Sequence, residues 1–160
     1  GAWVPDLLAC GVSVAPQASN CGFDRSGGWS PFFRDRFAGQ AFKSVAIEVR
    51  PQSGPAFRRK GEFVATATGV EGSLIYAASS QLRDCVSLHG RAEFKLDLLP
   101  DLSEARVAAE VSHPRGSRSL SSHLKSRLGL DGIKMAVLHE CLTKAQLQGI
   151  YNCSITDFLK

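Results

Sequence analysis

The sequence predicts an α+β fold: an antiparallel, barrel-like β-sheet with one embedded helix, followed by a small helical bundle. Three observations support this prediction. Several segments before residue 100 alternate apolar and polar residues with the period of a strand, one segment among them has the period of a helix, and no sustained alternation follows Pro100. We therefore expect a β-rich, barrel-like part over residues 1–100 and a helical part over residues 101–160.

The first elements are a short helix and a strand. The segment WVPDLLACG predicts a helix, and Gly11 directly after it is a common stop. A strand is expected immediately beyond Gly11. Residues 16–36 are rich in Ser, Gly, Asn and aromatic residues without a sustained period, which predicts irregular surface structure.

The strands of the predicted sheet follow. FKSVAIEVR and RAEFKLDLL alternate with period two, and the second is the more regular of the pair. Between them, Lys60 and Gly61 predict a turn that leads into a strand, EFVATAT. A helix is expected from Ser73 to Val86, because Leu74, Ala78, Leu82 and Val86 recur at intervals of four and give one apolar face.

Helix-capping patterns define the C-terminal part. Asp101 lies three residues before Glu104, which approximates a capping box. Ser119 is expected to cap the next helix and Gly129 to end it. Asp131 is expected to cap a third helix, and TKAQLQGIYNCSITDFLK predicts one or two shorter ones.

Composition indicates a globular protein. The 160 residues are 44% hydrophobic and 21% charged, with a net charge of +4, and no apolar run approaches a membrane-spanning length. The opening GAWVPDLLACG lacks the basic leader and the long apolar core of a secretory signal, so we expect a cytoplasmic protein with no membrane partner.

Cysteine usage favours free thiols. The five cysteines are scattered and form no CxxC pair, so buried free thiols are expected rather than a disulfide framework. The nearest metal-ligand pairs are Cys85 with His89 and His139 with Cys141. A zinc site needs three or four such groups at productive spacing, and we therefore expect no metal.

The segment TGVEGSLIY raises the question of a phosphate-binding loop. Gly69 and Gly72 precede a predicted helix, whose amides could face an anion. However, neither GxGxxG nor GxxxxGK[ST] occurs in the chain, so a tight turn is the preferred interpretation. Glu71, beside Gly72 and Ser73, is the carboxylate whose position is most suggestive of a chemical role. Without a GxSxG elbow or a visible nucleophile–base pair, no residue is predicted to be catalytic.

A basic stretch, SHPRGSRSLSSHLKSR, could contact phosphates. Arg115, Arg118 and Lys125 are its candidate anion-binding residues. No aromatic residues are interleaved to stack on bases. We therefore favour a solvated loop and helix face, and do not expect nucleic acid as a partner.

Longer segments add a resemblance to a known family. FVATATGVEGSLIYAASSQLRD, LDLLPDLSEARVAAEVSHPRGSRSLSSHLKSRLGLDGIK and, more weakly, GAWVPDLLACGVSVAP resemble NAD(P)/FAD-dependent oxidoreductases of the aminoacetone oxidase and BaiN type. In that family, an insert made of a β-barrel part and a helical part interrupts a Rossmann-like FAD-binding domain. The chain resembles the insert, so the FAD fingerprint is expected upstream and the closing flavin-domain segment downstream.

The resemblance implies a function and a partner. FAD is the implied cofactor of the full-length protein, with NAD(P)H as an open second one, and no cofactor is expected in this fragment. The implied partners are the FAD-binding domain of the same chain and a small-molecule substrate. The fragment of this bacterial enzyme is expected to be inactive alone. The residues expected to face the flavin and substrate cleft are Gly69, Glu71, Gly72, Ser73 and Tyr76.

The chain departs from the family pattern at one run of residues, and two alternative functions stay open. Where relatives have Ser-Gly-Pro, this chain has Glu71-Gly72-Ser73, which indicates a different substrate. The chain could instead be a stand-alone module for an anionic partner, or a protein-interaction domain that uses the aromatic residues between Trp29 and Phe37. The insert interpretation also predicts that Gly1 and Lys160 lie on one side of the fold.

Overall fold

The computed structural model describes residues 2–14, 21–51 and 54–149. These residues form five strands and seven helices, which confirms the predicted α+β class. The strands are β1 (Phe23–Asp24), β2 (Ala41–Val49), β3 (Phe57–Ala65), β4 (Gly69–Glu71) and β5 (Lys95–Asp97). The helices are α1 (Val4–Ala9), α2 (Pro31–Phe37), α3 (Ser73–His89), α4 (Glu104–Ser112), α5 (Leu120–Leu128), α6 (Gly132–Cys141) and α7 (Lys144–Gly149).

The sheet has the order β1-β4-β3-β2-β5 and every neighbouring pair is antiparallel. Phe42 of β2 lies opposite Phe63 of β3, and their stacked rings have centroids 4.6 Å apart. The register shifts between Phe42 and Val45, where Ser44 has a positive φ of 49°. Such a bulge bends a strand and increases its twist, which fits the curled, half-barrel form of this sheet.

Helix α3 covers the sheet and forms much of the core. It extends from Ser73 to His89, so the predicted helix is confirmed and ends three residues later than expected. Gly90 ends it in the left-handed conformation. Its buried face packs on β3 and consists of Leu74, Ile75, Ala78 and Leu82.

Helix α6 is attached to the sheet at the bulge of β2. Lys134 Nζ donates to the carbonyl oxygens of Ser44 at 3.2 Å and Leu98 at 2.8 Å. Burial lowers the pKa of Lys134, and the nearby carboxylates of Asp101 and Asp97 partly oppose this effect. The ammonium group therefore links the helical part to two sheet segments that are far apart in sequence.

Capping in the helical part is confirmed at two positions and wrong at two others. Ser119 accepts from the amide of Ser122 at the start of α5, and Gly129 ends that helix with a φ of 66°. At α4 the cap is Ser103, which accepts from the amide of Arg106 at 3.3 Å. The predicted Asp101 box does not form.

The two aspartates expected to cap helices form ion pairs instead. Asp101 pairs with Lys60 of β3, which is distant in sequence. Asp131 occupies the N-cap position of α6, but its side chain makes no capping hydrogen bond and lies 3.4 Å from Lys125 Nζ. A non-local cation therefore competes successfully with the local cap.

The predicted turn at Lys60 and Gly61 is wrong, because β3 continues through both residues. Gly61 lies opposite Val45 in the ladder. A Cβ at Gly61 would be 3.4 Å from Leu74 Cδ1, an ordinary van der Waals contact, so α3 packs directly over this part of β3. The chain turns earlier, after β2, where Gly54 has a φ of 103°.

Other element boundaries also differ from expectation. The region 16–36, predicted to be irregular, contains β1 and α2 within its described residues. Ser30 caps α2 and Pro31 starts it, so Phe33 can reach the core. The strand expected after Gly11 is not present over residues 12–14. RAEFKLDLL contributes only the three residues of β5 to the ladder.

The described cysteines are free, but they are not all buried. Cys10 and Cys141 are exposed and Cys21 and Cys85 are half-buried, so none of these four thiols is fully buried as predicted. Helix α7 agrees with the short helix expected near the end. The rest of that segment with Cys153, and the prediction that Gly1 and Lys160 lie together, fall outside the described residues.

Candidate functional site

The expected cleft residues lie at the junction of β4 and α3. Strand β4 pairs with β1 on one side and β3 on the other. Gly72 then turns the chain with φ 105° and ψ 177°, a conformation essentially restricted to glycine, and Ser73 begins α3. The Gly72 carbonyl accepts from the amide of Tyr76 at 2.8 Å, so helical hydrogen bonding begins at the turn itself.

The glycines of the junction allow close contact between backbones. A Cβ at Gly69 would lie 1.9 Å from the carbonyl oxygen of Phe23, and one at Gly72 would lie 3.3 Å from Phe63 Cα. Gly22, which sequence analysis did not single out, has the same role, since its Cβ would lie 2.9 Å from the Val70 carbonyl. These contacts favour the tight-turn interpretation.

Hydrogen bonds hold the loop before β4 in one conformation. The Gly69 carbonyl accepts from Trp29 Nε1 at 3.1 Å and from the amide of Thr66 at 2.9 Å. In return, the Gly69 amide donates to the hydroxyl of Thr66 at 2.8 Å, and the amide of Arg25 donates to the Thr68 carbonyl at 2.9 Å. The approach to the junction is thus fixed by the segment between β1 and α2.

The side chains of the junction differ in exposure. Glu71 and Ser73 are exposed, Tyr76 is half-buried, and Leu74 and Ile75 between them belong to the core. The Ser73 hydroxyl donates to the carbonyl of Glu62 at 3.2 Å. None of the hydrogen bonds between described residues connects Ser73 or Tyr76 to a histidine or carboxylate that could act as a base. The arrangement presents one anionic and one aromatic side chain beside a rigid backbone.

A second polar cluster, which sequence analysis missed, connects the segment between β1 and α2 to α6. Glu140 accepts from both the amide and the hydroxyl of Ser30, each at 2.7 Å, and its carboxylate lies 3.8 Å from Arg25 Nη1. The Arg25 guanidinium also lies 4.9 Å from the centroid of the Trp29 ring. The Ser30-Pro31 dipeptide could have indicated α2, but nothing local indicates Glu140 as its partner.

The structure separates the three candidate anion-binding residues. Arg115 and Arg118 line a cavity beside the loop between α4 and α5. Lys125 faces a different groove, formed with Phe32 and Met135, and pairs with Asp131. Arg127, the last residue of the basic stretch, lines the cavity with Arg115 and Arg118.

The described residues form neither a candidate metal site nor a membrane-spanning helix. Within residues 2–14, 21–51 and 54–149, no group of three His, Cys, Asp or Glu side chains could hold a metal ion. None of the described helices has both the length and the apolar composition required to cross a membrane.

The comparison with protein families explains the combination of elements. A family described as HI0933-like protein barrel and H2TH domain matches residues 17–157, which include every strand and helices α2 to α7. No curated protein matches the chain. Because the family match covers most of the sequence, the chain belongs to the HI0933-like protein barrel and H2TH domain family, the insert domain of flavoproteins of the HI0933 and BaiN type.

Proposed function

We propose that this domain covers the flavin of a bacterial FAD-dependent oxidoreductase and shapes substrate access to it. The supporting observation is the family match over residues 17–157, because this family is an insert domain of flavoproteins. FAD, bound by another domain of the same chain, would supply the redox chemistry, with NAD(P)H as a candidate electron donor. The insert would exclude water and limit which small molecules enter, and would be inactive alone.

The glycines of this chain do not fit a pyrophosphate cradle. Gly69 and Gly72 resemble part of such a loop in sequence, but their Cα atoms pack against the backbones of β1 and β3. That packing accounts for both glycines without a ligand. We therefore assign flavin binding to the FAD-binding domain, and the division of the insert near residue 100 stays a prediction.

The junction between β4 and α3 is the proposed cleft-facing edge. Its backbone is held in one conformation by close packing at Gly69 and Gly72 and by the hydrogen bond from Trp29. A fixed backbone suits a surface that must position a substrate. Glu71 would then place a negative charge at the entrance. That charge would favour cationic or basic substrates over anionic ones.

The first test is the coding DNA on either side of this stretch. An open frame that continues upstream into a strand followed by GxGxxG, and continues downstream of Lys160, is the expected result. A start codon just before Gly1 and a stop codon just after Lys160 would overturn the proposal.

The role of Glu71 is tested in the FAD-loaded protein that contains this domain. Glu71→Gln is expected to change KM several-fold for charged substrates while leaving FAD content unchanged, because the side chain is exposed and makes no core contact. The matched control is Glu93→Gln, which removes an exposed carboxylate two residues before β5, at the sheet edge opposite to the β1–β4 side. Equal kinetics for both variants would show that Glu71 does not line the cleft, and the assignment of the chain as an insert domain would still hold.

A further inference from the structure

A cationic cavity lies at the end of α4, away from the β4–α3 junction. It has a volume of about 440 Å³ and is lined by residues 113–118 and by His123 and Arg127 of α5. Arg115, Arg118 and Arg127 all belong to its wall, and none of the lining residues is acidic. Its volume is within the range of pockets that bind small ligands.

One arginine of the wall, Arg127, pairs with an acidic side chain of α4. Glu110 is buried, and its two carboxylate oxygens pair separately with Arg106 at 2.6 Å and Arg127 at 2.5 Å. One negative charge is therefore shared between two guanidinium groups. The bond from Glu110 also holds Arg127 in position, while a guanidinium has five N–H donors, so further donors of Arg127 can serve a ligand.

Arg118 has spare donors as well. Its Nη1 atom donates to the Ser126 hydroxyl at 3.5 Å, a long hydrogen bond, and its residue is exposed. A charged oxyanion would be a stronger acceptor than this neutral hydroxyl. A ligand could therefore replace Ser126 as the partner of Arg118 with only a small loss of free energy.

The backbone around the cavity is fixed before any ligand binds. His123 is buried, and its Nε2 lies 3.2 Å from the carbonyl oxygen of Val111, which joins α5 to the end of α4. The loop turns at Gly116 with a φ of 60°, and the amide of Arg118 donates to the Arg115 carbonyl at 3.3 Å. Preset geometry of this kind lowers the entropy cost of binding.

We propose that this cavity binds a phosphate group, held by the guanidinium groups of Arg118 and Arg127 with Arg115 at its wall. Guanidinium forks match the oxygens of phosphate in bidentate geometry. The phosphate can belong to a free phosphate ester or diphosphate, or to a nucleic-acid backbone. This inference is independent of the proposed flavin-domain function, since the chain itself contains all the residues involved.

Lys125 provides a matched control for the test. It lies on α5, as Arg127 does, but it faces a different groove and pairs with Asp131 at 3.4 Å. Arg118→Gln and Lys125→Gln each remove one positive charge from an exposed position. Non-specific attraction of anions falls equally in both variants, so a difference between them reports the cavity alone.

The experiment titrates the 160-residue chain with pyrophosphate at low ionic strength, by calorimetry and by amide chemical shifts. The expected result is saturable binding with shifts centred on residues 113–118. Binding should weaken about tenfold in Arg118→Gln and less than about twofold in Lys125→Gln, because one charge-assisted hydrogen bond is lost only in the first. Unfolding curves of both variants check that the fold is retained.

A single-stranded oligonucleotide identifies the source of the phosphate. If it binds more tightly than pyrophosphate and also weakens in Arg118→Gln, the ligand is a nucleic-acid backbone; if only pyrophosphate binds, the ligand is a free phosphate compound. Either outcome supports a phosphate site. Absence of saturable binding by both probes, or equal weakening in Arg118→Gln and Lys125→Gln, would overturn the proposal.

Discussion

Replacing Gly69 with alanine tests whether the junction glycine is required by backbone packing. The new Cβ would lie 1.9 Å from the carbonyl oxygen of Phe23 and 2.6 Å from Asp24 Cα, far inside van der Waals contact. Both atoms belong to the backbone of β1, so rotation of a side chain cannot relieve the clash. Strand β1 must therefore separate from β4.

The cost of that separation follows from the hydrogen bonds that depend on it. The amide of Arg25 donates to the Thr68 carbonyl, the Thr68 hydroxyl donates to Asp24, and Trp29 Nε1 donates to the Gly69 carbonyl. At about 0.5–1.5 kcal/mol each, the loss of these three bonds lowers the free energy of unfolding by about 1.5–4.5 kcal/mol.

Urea unfolding, followed by circular dichroism, measures this loss, and the emission of Trp29 reports the local change. The control is Gly90→Ala, where φ is 73° and a Cβ would meet nothing within 4 Å. That variant should lose about 1–2 kcal/mol from backbone strain alone and leave Trp29 emission unchanged. A loss in Gly69→Ala no larger than in Gly90→Ala, with unchanged emission, would refute the reasoning.

Three further predictions concern the core, the polar cluster around Glu140 and the half-buried Lys134. Phe63→Ala should lower the free energy of unfolding by about 3–5 kcal/mol in urea titrations, because Phe63 is 1% exposed and stacks on Phe42; a loss below about 1 kcal/mol would contradict this packing. Glu140→Ala should cost about 2–3 kcal/mol through its two lost bonds to Ser30, and a Ser30→Ala background should remove most of that cost in a double-mutant cycle. For Lys134, burial lowers the pKa below the ordinary 10.5, so the folded chain binds fewer protons than the unfolded chain in the range just below 10.5. The stability of the wild type relative to Lys134→Met should therefore rise as pH increases towards 10.5, and a falling difference would show that the ammonium is not penalised by burial.

The division into strands and helices was predictable from local periodicity. Val45, Ile47 and Val49 are all buried in β2. The predicted apolar stripe of α3 is buried at its first three positions, whereas its fourth, Val86, is exposed. Ser119 and Gly129 were also sufficient to predict both ends of α5, since each residue caps that one helix. These features depend on neighbours within a few residues, which is the range that sequence patterns can describe.

Features that depend on distant partners were not predictable. Lys60 and Gly61 have the composition of a turn, but Gly61 lies in a strand, where it pairs with Val45 of β2. Asp101 was an acceptable cap in sequence, yet Lys60 of β3 engages it instead. Helix α2 is only seven residues long, too short for its period to be recognised, and it depends on Glu140 of α6 at its first turn.

The candidate sites were predictable to different extents. Gly69, Glu71, Gly72, Ser73 and Tyr76 were chosen from a resemblance, and they are neighbours at one junction simply because they are close in sequence. In the basic stretch, the charges suggested one cluster, whereas the direction of each side chain divides Lys125 from Arg118. Arg127 belongs to the predicted basic stretch, but its place in the cavity wall depends on Glu110 of another helix.

The most direct test of the account measures whether the β4–α3 junction faces the flavin. In the FAD-loaded protein that contains this domain, Tyr76→Trp places an electron donor at the proposed edge, and Leu88→Trp places one at the exposed far end of α3. Tryptophan quenches flavin fluorescence at short range, so the account predicts a shortened flavin lifetime in Tyr76→Trp and an unchanged one in Leu88→Trp. An unchanged lifetime in Tyr76→Trp, or quenching by Leu88→Trp alone, would contradict the central claim.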